Sequence, residues 1–156
     1  MRAVIQRSRK ASVTSEGVET GRIDAGLTVL LGVGKGDGPA DVAYLVDKIC
    51  HLRIFEDDGG KMNQSLLDRG GQMRGVAQFT LYGDVRHGRR PSFTEAAPPD
   101  VAEALYERFV ELVRQQDIEV ATGRFQTEMG VSLENDGLSQ SYSIVKKYFR
   151  RAIVWA

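Results

Sequence analysis

Val42, Leu45, Val46, Ile49 and Leu52 recur at steps of three and four within "PADVAYLVDKICHLRIF". That spacing predicts a helix with one apolar face, and Pro39 suits its first turn. Ala102, Leu105, Phe109 and Leu112 repeat the pattern in "PPDVAEALYERFVELVRQQ", the clearest helix of the chain. Elsewhere the runs are short and β-rich. "MRAVIQRS", "ASVTS", "EGVETGRI" and "LTVLLGV" are punctuated by Gly17, Gly21 and Gly26, which predicts three or four short antiparallel strands. "MRGVAQFTLYG" reads as a further strand, "EDDGGKMNQSLLDRGG" as a turn-rich connection, and "IEVATGRF", "EMGVSLEND" and "SYSIV" as later strands. Strands interrupted by two long helices predict an α+β fold: a small β-barrel-like antiparallel or mixed sheet with two main helices on one side.

Length and composition narrow the function without naming it. The chain has 156 residues, enough for one domain over 1–156 with a substantial core. No apolar run reaches membrane-spanning length, and "MRAVIQRSRK" lacks the features of a signal peptide. The single cysteine, Cys50, cannot form an internal disulfide, which suits a reducing cytoplasm. Formal net charge is zero, so a polyanionic partner must be met by a local patch rather than by a global field.

Familiar catalytic constellations are absent from the pattern. His51 lies in the helical stretch beside Cys50, and no second pair at ligand spacing accompanies it, so it reads as structural and no metal is implied. "LLGVGKGDG" lacks phosphate-loop spacing, and Glu56, Asp57 and Asp58 lack the calcium-loop pattern. One stretch stands out: "GVAQFTLYGDVRHGRRPSF". As a strand it puts Gln78 and Thr80 on one face and Phe79 on the other. That is either an edge strand with a polar face or a strand end presenting backbone N–H groups, an amide and a hydroxyl to a ligand. Main-chain donors aimed at a developing oxyanion hydrolyse an activated ester without a strong nucleophile. The basic run that follows is either a solvated charged loop or a holder of phosphate.

Together "MRAVIQRS.KASV", "LLGVGKGD", "KICHLRIFED..GKMNQSL", "VAQFTLYGDVRHGRRPSF..AAPP", "LYERFV" and "TGRF...M.VSLENDG" resemble the D-aminoacyl-tRNA deacylase family. The resemblance is co-linear from Met1 to about Gly137, and residues 138–156 form a divergent basic tail. It implies a β-barrel-like α+β fold, a homodimer, no cofactor, and hydrolysis of the ester joining a D-amino acid or glycine to the terminal adenosine of tRNA. The family's Ser-Gln-x-Thr motif falls on Ala77, Gln78, Phe79 and Thr80, with Ala77 in place of serine. The resemblance implies that the Gln78–Phe79 backbone holds the oxyanion, that the RNA 2′-hydroxyl assists, and that Thr80 lines the site. It places Ala77, Phe125, Met129, Arg89, Arg90 and Pro91 against the substrate. The chiral-selectivity motif, Asn-x-Gly-Pro, falls on Asn135, Asp136 and Gly137, with Leu138 where proline is expected. A non-proline cis bond costs about 2.5–4 kcal/mol, so a trans Gly137–Leu138 peptide is expected. Gln126 and Thr127 stand where the family has Gly-Ala. These departures keep a second reading open: an aminoacyl-tRNA or nucleotide-binding relative with reduced or absent chiral proofreading. The tail, with Lys146, Lys147, Arg150 and Arg151, is either a packed terminal segment or an RNA-binding arm.

Overall fold

A computed structural model describes residues 1–144 and 153–155. Strand β1 (Arg2–Ser15) leads to β2 (Val18–Ile23) and β3 (Gly26–Gly32), then helix α1 (Pro39–Cys50). A small hairpin follows, β4 (Phe55–Glu56) with β5 (Met62–Gln64), and the four-residue α2 (Leu66–Arg69). Next come β6 (Gln72–Ala77), α3 (Pro99–Arg114), β7 (Val120–Thr122), β8 (Met129–Ile144) and β9 (Ile153–Trp155). The main sheet runs β7-β6-β3-β1-β8-β9, with β2 also paired to β1. β3–β6 and β6–β7 are parallel and the other pairings antiparallel, so the sheet is mixed. Gly21 of β2 folds back onto β7, where a Cβ on it would lie 3.3 Å from the Ala121 methyl, and the sheet nearly closes into a barrel.

Both long helices pack on one side. α1 buries Val42, Leu45, Val46, Ile49 and Cys50, and α3 buries Leu105, Tyr106, Phe109, Val110 and Val113. They meet Ala3, Ile5, Leu27, Val29, Leu31, Met73 and Val120 of the sheet in one cluster. Each fully buried Leu, Ile or Val there contributes about 1.5–3 kcal/mol. The main chain of α1 and α3 matches the helices expected from the periodicity. Among the described residues no helix is long and apolar enough to cross a membrane.

Three expectations change. The first two β-runs are one strand, β1, fourteen residues long and kinked where its register against β8 shifts between Gln6 and Lys10. "EMGVSLEND" and "SYSI" are likewise one strand, because β8 follows β1 along that whole length. The strand read through Gly83 stops at Ala77, and Phe79–Tyr82 form a 3-10 turn instead. The reason is the polar pair itself: the Gln78 amide side chain donates to the Thr80 hydroxyl two residues on, a local bond that closes a turn and competes with the ladder. The tail's cations Lys146, Lys147, Arg150 and Arg151 lie outside the described residues, and its backbone at Ile153–Trp155 pairs with β8.

Candidate active site

The end of β6 opens into a cavity of about 780 Å³. Ala77, Gln78 and Phe79 form one wall, Phe125, Gln126, Thr127 and Met129 a second, and Tyr106 with Ala102 of α3 a third. The segment Phe93–Pro99 forms the fourth. It is stitched to the end of β3 by two main-chain bonds: Ala97 N–H donates to the Val33 carbonyl and Lys35 N–H to that of Glu95, both at 3.0 Å. Asp37 holds the facing loop, accepting from Gly34 N–H at 2.6 Å and from the Tyr82 hydroxyl at 3.3 Å. Lys35 thereby stays beside the cavity.

The turn decides which donors are free. Gln78 N–H continues the β3 ladder past the strand and donates to the Leu31 carbonyl at 2.8 Å. The first intraturn bond runs from Leu81 N–H to the Gln78 carbonyl. The amides of Phe79 and Thr80 open the turn, where intrahelical acceptors do not exist, and no described residue accepts from them. Phe79 is 58% exposed, with its ring edge-on to Phe93 at 5.2 Å between centroids. Thr80 is exposed and its hydroxyl is engaged by Gln78, and among the described residues no histidine or carboxylate is bonded to it.

On the opposite wall, Thr127 is fixed by Ser15, whose hydroxyl donates to it at 2.7 Å. Gln126 has φ of +58°, in the left-handed region where glycine is the ordinary residue. The Phe125 and Tyr106 rings lie 6.3 Å apart. Tyr106 donates its hydroxyl to the Gly75 carbonyl at 2.9 Å, and burial pushes its pKa up to about 12.

Of the residues expected from sequence, Ala77, Gln78, Phe79, Phe125, Gln126, Thr127 and Met129 line this cavity, and Thr80 directly follows. Arg89, Arg90 and Pro91 do not. They sit exposed on a loop closed by paired bonds between Asp84 and Ser92. Arg86 of that loop is spent on Asp84 at 2.6 Å, which holds the Asp84 carboxyl well below the usual carboxylate range. Asn135 and Gly137 do not reach the cavity of their own chain either. Asn135 is six residues along β8 from Met129, about 20 Å at strand rise. There the chain is clamped by buried Arg7, which donates to the Asp136 carbonyl at 2.8 Å and to that of Ile54 at 2.9 Å. Gly137 has φ of +78°, and a Cβ on it would lie 2.6 Å from the Arg7 guanidinium. No peptide bond among the described residues is cis, and β8 runs on through Leu138. Lys35, Phe93, Ala96, Pro98 and Tyr106 line the site without having been expected there. "FTEAAPP", with its small residues and prolines after the basic run, was the available signal for three of them.

A barrel-like α+β fold carries an apolar cavity whose mouth offers main-chain amides unpaired among the described residues. Comparison with known proteins narrows this. The family profile described as D-Tyr-tRNA(Tyr) deacylase matches residues 4–141. The D-aminoacyl-tRNA deacylase of Thermosipho africanus is 57% identical over 137 residues, 88% of this chain and 92% of that protein. That of Heliobacterium modesticaldum is 58% identical, covering 88% and 91%. A solved structure named c-Myc DNA Unwinding Element Binding Protein superposes with a TM-score of 0.87 at 35% identity, over 94% of this chain and 99% of the other. A structure titled as a probable eukaryotic D-amino acid tRNA deacylase shares the fold at 22% identity and a TM-score of 0.73, over 87% and 94%. The chain belongs to the D-Tyr-tRNA deacylase family.

Proposed function

We propose that this protein hydrolyses the ester bond of D-aminoacyl-tRNA, and of glycyl-tRNA, in the cytoplasm as a homodimer. The observation that carries the chemistry is the pair of unpaired amides at Phe79 and Thr80, beside a cavity large enough for an acyl group and a terminal nucleoside. The ester carbonyl oxygen faces those amides. Water attacks with the help of the terminal ribose 2′-hydroxyl, and the tetrahedral oxyanion forms against donors already in place. Collapse breaks the acyl C–O bond, and the 3′-oxygen leaves protonated. Removing one such donor costs about 10²–10³ in turnover. Thr80 lines the site, and Gln78 orients it. Phe79, Phe93 and Phe125 offer ring faces to a base. Arg89 and Arg90 meet the phosphates outside the cavity. The Gly137 segment, remote from its own cavity, serves that of the second subunit.

Phe79→Pro tests the amide role. Proline is tolerated in the first position of a helical turn, and the extended Gln78 before it is compatible. The expected result is a fall in kcat of about a hundredfold or more with unchanged circular dichroism, against less than tenfold for Gln78→Ala or Thr80→Ala. Wild-type turnover by Phe79→Pro sinks the assignment.

The second reading, a relative with a weakened chiral filter, is favoured by Leu138 and by the bulk of Gln126 and Thr127 in the cavity wall. D-Tyr-tRNA, L-Tyr-tRNA and Gly-tRNA incubated in parallel decide between them. Loss of the D and glycyl esters alone supports the first reading, and loss of all three the second.

A further inference from the structure

The turn Phe79–Tyr82 is anchored on both sides. Upstream, Gln78 N–H is held by the Leu31 carbonyl. Downstream stands a buried cluster that the proposed chemistry leaves unassigned. Tyr82, the last residue of the turn, is 2% exposed, and its hydroxyl donates to Asp37 Oδ2 at 3.3 Å. The same oxygen accepts from Gly34 N–H and from the Met1 α-ammonium, each at 2.6 Å, and the Asp37 side chain is 4% exposed. Arg2 completes the cluster. Its Nη1 donates to the Leu81 carbonyl at 2.7 Å, and its guanidinium carbon lies 4.2 Å from the centre of the Tyr82 ring. The floor is the end of β3. A Cβ on Gly32 would lie 3.0 Å from the Gln78 carbonyl oxygen and 3.1 Å from the Leu81 Cβ, and one on Gly34 would overlap the Tyr82 hydroxyl. The turn itself is weak. It has four residues and is closed by Leu81 N–H to the Gln78 carbonyl at 3.3 Å and Gly83 N–H to that of Thr80 at 3.0 Å. So short a 3-10 run does not hold its own geometry. Phe79 and Thr80 are both exposed, so the direction of their amides is set by what grips the residues on either side.

We propose that Arg2 and Asp37 are positioning residues for the ester hydrolysis: through Leu81 and Tyr82 they hold the turn so that the Phe79 and Thr80 amides meet the oxyanion. This rests on the deacylase reading. Arginine suits the task because its planar guanidinium bonds the carbonyl with an edge while its face lies on the ring. The carbonyl it takes is at the C-terminal end of the turn, where intrahelical donors run out. Neither Arg2 nor Asp37 lines the cavity, so each acts through the main chain, on turnover and not on substrate binding.

The test measures kcat and KM for D-Tyr-tRNA in wild type, Arg2→Met, Arg2→Lys and Asp37→Asn, and follows the Phe79 and Thr80 amide resonances by NMR. Arg2→Met is also combined with Phe79→Pro. Small misplacements by residues away from the chemistry cost up to about a hundredfold, so kcat in Arg2→Met should fall about ten- to a hundredfold. KM should not change, because the lost interaction is with the turn and not with the substrate. Arg2→Lys keeps a donor for the Leu81 carbonyl and should fall less. Asp37→Asn should repeat the Arg2→Met pattern; should it fail to fold, the Arg2 series decides. The Phe79 and Thr80 resonances should move while those of β8 stay. On the Phe79→Pro background the further loss from Arg2→Met should shrink, because the two changes act on one group. Wild-type kcat in Arg2→Met overturns the proposal, as does a loss carried by KM. A loss that multiplies undiminished with that of Phe79→Pro, or that leaves both resonances in place, overturns it too. All four leave wild-type hydrolysis standing. If wild type hydrolyses no ester, D-Tyr-tRNA included, the deacylase reading itself falls and takes this inference with it.

Discussion

Replacing Arg74 by methionine should make the protein more stable. In the folded chain this guanidinium is wholly buried and finds no acceptor among the described residues. Burial lowers its pKa from the ordinary arginine value, outweighing the opposing pulls of Tyr106 and Glu19. Methionine is close in length, bends to fit the space between Gly21 and Gly123, and carries no charge. Exchanging buried ionic groups for packed apolar ones stabilises by about 1–4 kcal/mol. At about 2 kcal/mol, and about 2–4 °C per kcal/mol for a chain of this size, the melting temperature rises by about 4–8 °C. Urea denaturation should give a higher midpoint with an unchanged slope, since the surface exposed on unfolding barely differs. Arg74→Ala provides the contrast. It removes the charge but leaves a void, and the two effects oppose each other. A lower midpoint for Arg74→Met would mean that the guanidinium is well satisfied in solution, and the reasoning from its isolation would be refuted.

Two further outcomes follow from the same geometry. Cys50 is buried on the inner face of α1, and burial reinforced by the Asp47 charge pushes its thiol up to about 11, so it should resist alkylation at pH 8 until the protein unfolds; mass spectrometry after timed exposure to iodoacetamide reads this directly, and rapid labelling of native protein contradicts it. Gln126→Gly relieves a left-handed residue that costs about 1–2 kcal/mol, against about 0.5–1 kcal/mol of extra chain entropy, so a net gain of about 0.5 kcal/mol is expected from chemical denaturation; a loss would show that the Gln126 side chain holds the wall in place.

How much of this was legible beforehand differs from element to element. Val42 to Ile49 and Leu105 to Phe109 declared their helices because one packed face imposes one period. β1 was read as pieces because its partner supplies the continuity: β8 pairs with it along its length, and no local pattern announces a partner more than a hundred residues away. Gln78 and Thr80 were read through the wrong geometry. Alternation placed them on a strand face, whereas a side-chain bond between them makes a turn. That error concealed the more useful fact, since an amide that opens a turn is free and one inside a ladder is not. Arg74 gave no signal at all. A single cation in "QMRGVA" looks like an outward-facing residue of an edge strand, and only the return of β2, with Gly21 against the guanidinium, encloses it.

The bond from Gln78 N–H to the Leu31 carbonyl has a consequence for pharmacology. By ending the ladder one residue past the strand, it puts the donors of the proposed reaction in the polypeptide itself and not in any side chain. Electrophilic warheads succeed by capturing a nucleophile. Here the thiol is shut in the core, and among the described residues no base is bonded to the threonine hydroxyl. A useful inhibitor must instead carry its own tetrahedral anion, such as a phosphonate in place of the ester, and draw its affinity from two amides. Resistance would also be hard to acquire, because few codon changes other than one to proline delete an amide.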